Sequence, residues 1–336
     1  MTSRLRTVRA GPLRSLATAA RWLAAAALLF SGACGQGSCV QFDAQDVRVR
    51  FDREKDRLDA LIVYSGLTAD GGDVSGAVEQ LEKVRAGRII ALIDNFPAID
   101  FESDSWDGTT KAERPELVAL ARALDAAASV TNGPLWRDLH GQLAGYQLVR
   151  VDRVSSVLAA ANALIGAECL AEQERRARDP ARRREAVSDP ASVDEWFDDA
   201  VLDRFVESAR AGAPFVSLRG GALVVFVPAD AAQAQRFRRA VLADMRRDLA
   251  SRDRDEAHWH DLELIGRNRL ATHDVPGGLE IVLGDPSAAE LHLEVPPHGR
   301  AGTDLGEALA SKGWTIEGPG GEGRALAAFA EWCGQP

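Results

Sequence analysis

Residues 47–64, VRVRFDREKDRLDALIVY, contain the pattern that decides the fold. Residues 47–51 alternate apolar and polar side chains, which is typical of a β-strand with one buried face. The polar residues 52–57 follow, and residues 58–64 form a second, more apolar segment of the same type. Two such segments joined by a short polar stretch predict an antiparallel β-hairpin.

The same order of elements, a hairpin followed by a helix and then a strand, recurs at 47–93, 215–265 and 279–316. In the first unit, residues 89–93 are apolar and predict a buried strand. In the third unit, the predicted hairpin joins 279–283 to 291–295 through Gly284, Asp285 and Pro286. We therefore expect an α+β fold with mostly antiparallel sheets, built from these units, with helices packed on one face.

A run rich in arginine at 175–184, followed by Pro190, predicts a boundary between two lobes. The predicted N-terminal lobe covers 47–180, the linker 181–190, and the C-terminal lobe 191–336.

The first 33 residues have the composition of an export signal. They carry five arginines and no acidic residue, and an apolar run at 22–30 is followed by the small residues Ser31, Gly32 and Ala33. A membrane span needs about 20 apolar residues, so this run is too short to cross a bilayer. We expect the chain to be exported.

The four residues Ser31-Gly32-Ala33-Cys34 resemble the lipobox of bacterial lipoproteins, although Ser31 stands where that family usually has Leu. The resemblance implies that Cys34 is lipidated and anchors the protein to the membrane, with 34–46 as a tether. The residue after the cysteine is Gly35, not the Asp that tends to retain such lipoproteins in the inner membrane. By the same resemblance, the outer membrane is therefore a possible location. The alternatives are cleavage by ordinary signal peptidase at the same bond, giving a secreted or periplasmic protein, and an uncleaved anchor.

The charge balance of the chain excludes one large class of partner. Removing the five arginines of residues 1–33 leaves 35 basic residues against 50 acidic ones, a formal net charge of −15. A body this acidic repels nucleic acid, so no nucleic-acid partner is expected.

Cys169 and Cys333 lie on apolar stripes at helical spacing. Two interpretations stay open for an exported protein: a disulfide between Cys169 and Cys333, or two buried free thiols.

His258 and His260 are the candidate metal ligands. Two histidines at this spacing on a strand share one face, which is a common start of a transition-metal site. A third ligand could be Asp261, Glu263, His273 or Asp274, and the spacing selects none of them. The alternative is a pair of surface histidines. Apart from this divalent metal, no cofactor is predicted.

Two segments are candidates for binding a protein partner in the envelope. The acidic loop at 96–107 contains Phe96, Phe101 and Trp106, which either fold back as a lid on the core or contact a partner. The linker arginines Arg182, Arg183 and Arg184 suit anionic head groups or an acidic partner, unless they are simply solvated.

No motif of nucleophilic catalysis is present, and no catalytic residue is predicted. From the sequence we expect a cell-envelope lipoprotein with a binding or structural role. One alternative is an envelope hydrolase or metal-dependent enzyme that uses His258 and His260. Another is a periplasmic small-molecule binder with a cleft between its lobes.

Overall fold

A computed structural model describes residues 40–91, 114–179, 192–250, 270–295 and 302–335, together with 181, 183–185, 188 and 190. The strands, in chain order, are β1 (Val40–Gln41), β2 (Ala44–Asp52), β3 (Arg57–Ser65), β4 (Thr68–Ala69), β5 (Ala128–Asn132), β6 (Leu135–Arg137), β7 (Leu143–Asp152), β8 (Val216–Arg219), β9 (Gly221–Pro228), β10 (Leu270–Val275), β11 (Gly278–Asp285), β12 (Glu290–Val295), β13 (Thr303–Asp304) and β14 (Ile316–Glu317).

The α-helices are α1 (Val74–Lys83), α2 (Pro115–Ala127), α3 (Val154–Arg178), α4 (Val193–Trp196), α5 (Asp199–Arg210), α6 (Ala231–Ala250), α7 (Gly306–Ser311) and α8 (Gly321–Gly334). A π-helical turn, Val84–Arg88, continues α1. The mixture of helices with mostly antiparallel strands confirms the predicted α+β fold.

The hairpin at the start of the sequence analysis is formed by β2 and β3, which pair in antiparallel register from Ala44 opposite Ser65 to Asp52 opposite Arg57. The Asp52 carboxylate accepts hydrogen bonds from the backbone N–H groups of Glu54 and Lys55, at 3.0 and 3.1 Å, and so fixes the turn. The hairpin lies in a large sheet of order β12-β2-β3-β7-β6-β14, in which β5 also pairs with β7. Within the described strands of this sheet, only β6 and β14 pair in parallel.

A second sheet has the order β10-β11-β9-β8, and a small third one the order β1-β4-β13. Strands β1 and β2 begin at Val40 and Ala44, inside the range 34–46 that the sequence predicts to be a tether. The two larger sheets share one apolar layer, which contains a cavity of about 100 Å³. The described residues that line it are Val, Leu, Ile and Ala from both sheets, together with Ile90.

The predicted third hairpin is wrong. Strand β11 pairs with β10 on one side and with β9 on the other, so both of its edges are occupied. Strand β12 crosses instead to the large sheet and pairs with β2, where Leu291, Leu293 and Val295 are buried. Strand β12 therefore links the predicted C-terminal lobe to the predicted N-terminal one, and one core cluster contains side chains from both.

Helices cover the sheets unevenly. Helices α2, α3 and α5 contribute to the main core, whereas α8 covers the other face of the large sheet, where Phe329 joins a separate apolar cluster with Trp136 and Tyr146. Helix α3 is long and apolar enough to cross a membrane by length and composition alone, a test that the core helix of a globular protein also passes.

The segment 89–93 was predicted as a buried strand, and its described part, 89–91, has only an isolated bridge at Ile89. Side-chain amides make the hydrogen bonds to this segment that the backbone of a neighbouring strand would otherwise make. Gln147 accepts from the backbone N–H of Ala91 at 2.7 Å and donates to the carbonyl of Ile89 at 3.0 Å. Gln45 donates to the carbonyl of Ala91 at 2.9 Å. The two polar side chains that hold this segment, Gln45 and Gln147, are buried.

Candidate binding pocket

A pocket of about 180 Å³ lies beside the segment that these glutamines hold; we call it the Tyr64 pocket. Four separate parts of the chain form its wall: the end of β3, the π-helical turn, the connection between β5 and β6, and the residues before β14. The side chains that define it are those of Tyr64, Arg85, Asn132, Leu135, Trp314 and Thr315.

Tyr64 is almost fully buried, with 3% of its surface exposed, and its ring lies 5.2 Å from that of Phe42 in a stacked arrangement. The ring fits because its strand partner is Gly145. A Cβ atom at position 145 would lie 2.6 Å from Cε2 of Tyr64 and 2.7 Å from Cδ2 of Leu135. Burial raises the pKa of Tyr64 far above its ordinary value, so the phenol stays neutral.

A buried network of amides fixes the wall of the pocket. Gln147, which has no exposed surface, donates to Oδ1 of Asn132 at 2.8 Å. Asn132 in turn donates through Nδ2 to the carbonyl of Val84 at 2.9 Å and to that of Arg85 at 3.3 Å. The π-helical turn is thus tied to the large sheet, and π-helical turns inside helices are frequent at functional sites. The pocket is held open by hydrogen bonds that cost free energy if broken.

In the described part of the chain, Arg85 is the only charged residue that lines the Tyr64 pocket. Its guanidinium lies 4.5 Å from the centre of the Trp314 ring, which is a cation–π geometry. Such a contact leaves guanidinium N–H groups able to donate hydrogen bonds. Within the described part of the chain, the Arg85 side chain has no ion pair with a carboxylate.

A larger and more open cleft, of about 660 Å³, lies at the other end of the hairpin. Arg50 and Arg53 line it from the hairpin side, Pro286 from the second sheet, and Cys333 from α8. Arg50 already pairs with Glu290 at 2.9 Å, and Asp52 and Asp59 also line the cleft. Its charges therefore largely compensate one another, and the cleft favours no single kind of ligand.

Beneath this cleft, two arginines hold the C-terminal end of α8. Arg57 donates to the carbonyls of Cys333 and Gln335, both at 2.9 Å, and Arg150 donates to that of Trp332 at 2.5 Å. Buried Asp59 contacts both guanidinium groups, at 3.1 Å from Arg57 and 2.8 Å from Arg150. Cations at a helix C-terminus satisfy its free carbonyls and the helix dipole, so this clamp is structural.

Most of the residues singled out from the sequence lie outside the described residues: Cys34, Phe96, Phe101, Trp106, Arg182, His258, His260 and Asp261. Arg183 is exposed, and the backbone N–H of Arg184 donates to Asp199 at 3.2 Å. In the stretches that the structure describes, no three His, Cys, Asp or Glu side chains are grouped closely enough to hold a metal ion.

The predicted disulfide between Cys169 and Cys333 is not present in the structure, where both residues are free thiols. Cys169 belongs to the main core, whereas Cys333 packs with the α8 cluster on the opposite face of the large sheet. Of the two buried free thiols that the other interpretation predicted, Cys169 is buried and Cys333 is half-buried. Burial raises the pKa of Cys169 to about 12, which makes it an unreactive core residue.

Sequence reasoning did not find the Tyr64 pocket. Its residues come from positions 64, 85, 132 and 314, and no spacing along the chain brings them together. The available signals were indirect: Gly87, which ends the first helix, and the break at Asn132-Gly133-Pro134 mark the two turns that form the wall. Comparisons with protein-family models, with curated proteins and with solved structures found no match to this chain.

Proposed function

We propose that the protein is an exported, lipid-anchored protein of the bacterial cell envelope with a binding role. The observation that supports binding is the Tyr64 pocket, whose wall is fixed by buried amides before any ligand arrives. Small-molecule sites are concave, largely apolar and pre-formed, with a few placed polar groups. The Tyr64 pocket is smaller and more polar than most such sites, and it combines apolar Leu81, Leu135 and Trp314 with Arg85.

The envelope location is supported by the leader at 1–33 and by the lipobox-like residues that end at Cys34. A binding role also agrees with the absence of a nucleophile motif in the sequence. The binding surface belongs to the folded body, and the anchor would hold that body close to a membrane surface.

Mass spectrometry of the protein purified from its native host tests both parts of this proposal. We expect the N-terminal peptide to begin at Cys34 and to carry two or three acyl chains. We also expect the intact protein, sprayed under native conditions, to show an additional small mass that is lost on unfolding.

The lipid anchor and the binding role can be disproved independently of each other. An unmodified N-terminus at Cys34 would replace the lipid anchor by ordinary secretion and leave the binding role standing. A ligand-free protein that co-purifies with another envelope protein would point to a structural or partner-binding role, and the Tyr64 pocket would lose its proposed function.

A further inference from the structure

We infer that the Tyr64 pocket binds a small organic anion: a carboxylate with a compact apolar body, whose charge pairs with Arg85. This inference rests on the proposed binding function and names the class of ligand. It follows from three properties of the pocket wall: its charge, its neutral polar groups and its apolar volume.

The described residues of the wall carry only positive charge. Among the residues that the structure describes, Arg85 lines the pocket together with nine uncharged ones, so no described carboxylate in the wall competes for the guanidinium. The carboxylate nearest along the chain, Glu82, pairs with Lys312 at 3.4 Å. The Arg85 side chain has no ion pair with a described carboxylate, so its charge is available to a ligand. An anionic ligand would supply the missing counter-charge.

The geometry of Arg85 suits a carboxylate better than a point charge. The contact with the Trp314 ring restricts the Arg85 side chain, and a guanidinium carries paired N–H donors that match two carboxylate oxygens. The carbonyl of Arg85 is held by Asn132, so the backbone that carries this side chain is also fixed. Less conformational entropy is therefore lost when the ligand binds.

The neutral polar groups agree with this choice. Tyr64 and Thr315 line the pocket and carry hydroxyl groups, which are donors that can bind an anion without being charged themselves. The raised pKa of Tyr64 keeps its phenol protonated at physiological pH, so the pocket does not acquire a negative charge of its own. The amide of Asn132 is occupied by the network behind the wall.

The rest of the wall limits the size and polarity of the ligand. Leu81, Val84, Leu135 and Trp314 provide apolar surface, and the volume is about 180 Å³. An apolar cavity of about 150 Å³ is known to accept a benzene ring. A carboxylate on a single ring or a short branched chain therefore fits the pocket, and benzoate is a suitable probe.

Benzoate and its neutral analogue benzamide differ in charge at nearly constant shape, so the pair isolates the role of Arg85. We expect calorimetric titration of the mature protein to show benzoate binding at least tenfold more tightly than benzamide. Replacing the exposed Arg85 by Gln should weaken benzoate binding by about ten- to a hundredfold and leave benzamide unchanged. Arg85→Lys keeps the charge but not the paired donors, and should lie between the two.

Arg53→Gln is the matched control. Arg53 is also an exposed arginine, and it lines the other cleft, so its loss should leave benzoate affinity unchanged. Equal affinity for benzoate and benzamide, or full affinity in Arg85→Gln, would overturn the anion inference while leaving a binding pocket. If neither probe binds, the inference fails, and the ligand mass from the native protein then decides the proposed function separately.

Discussion

Two glycines at the start of α8 show how strongly a single side chain depends on its surroundings. A Cβ atom at Gly321 would lie 2.0 Å from Cδ2 of the buried Trp136, whereas one at Gly323 would meet nothing within 4 Å. We expect Gly321→Ala to lower the free energy of unfolding by about 1–3 kcal/mol, because the indole has no room to move. Gly323→Ala should raise it by up to about 1 kcal/mol, because alanine favours the helix.

Urea unfolding of the two variants and of the wild-type protein measures this difference in the free energy of unfolding. Since both substitutions add one methyl group to the same helix two residues apart, the comparison removes any general effect of alanine. Equal stability of the two variants would contradict the close contact between Gly321 of α8 and the Trp136 ring.

Residues of the candidate pocket could not be predicted from the sequence, for a physical reason. Tyr64 reads as the last apolar residue of a strand, and Arg85 as a polar residue near the end of a helix. Their roles come from neighbours that are distant in sequence: Gly145 makes room for the Tyr64 ring, and Trp314 stacks with Arg85. Side-chain periodicity records which face is buried but not what lies opposite.

At the level of secondary-structure elements, α8 depends on buried charge at its C-terminal end. Its last carbonyls accept hydrogen bonds from Arg57 and Arg150, and Asp59, which is 3% exposed, balances both cations. Asp59→Asn would leave two guanidinium groups without their counter-charge. Removing one partner of a buried ion pair costs about 3–5 kcal/mol, and we expect a loss of this size in urea unfolding.

Hydrogen exchange locates the effect: amides at the C-terminal end of α8 should exchange faster in Asp59→Asn. Glu174→Gln is the control, because Glu174 pairs with Arg178 at 2.8 Å on the surface and such pairs contribute less than about 0.5 kcal/mol. Unchanged exchange in α8 would show that the clamp does not stabilise the helix.

Strands and helices were largely predictable where a local pattern defines them. The β2–β3 hairpin, the β8–β9 hairpin and α3 follow from alternation, glycine turns and helical spacing. Strand β12 was predicted as a strand but given the wrong partner, because hairpin spacing favours the nearest strand. Its true partner, β2, is about 240 residues away, and only the occupied edges of β11 exclude the local pairing.

On the scale of the whole molecule, the large sheet is assembled from both ends of the chain. Strand β12 forms one edge of this sheet and β14 the other, while α8 covers Leu61, Trp136 and Tyr146 on one face. All three elements follow the predicted 181–190 linker, whereas the central strands precede it. The residues before the linker thus depend on those after it for the cover of their own sheet.

We therefore expect a fragment of residues 34–185 produced alone to fail as a folded domain. It would lack the strand that pairs with β2 and the helix that buries Trp136 and Tyr146, and it would expose an open edge and an apolar sheet face. Size-exclusion chromatography should show aggregated or expanded material. Co-expression with residues 186–336 should restore a soluble one-to-one complex, because β12 and α8 would then be supplied in trans. A 34–185 fragment that unfolds cooperatively as a monomer would instead make the predicted lobes independent folding units, with β12 and α8 as additions to an already stable sheet.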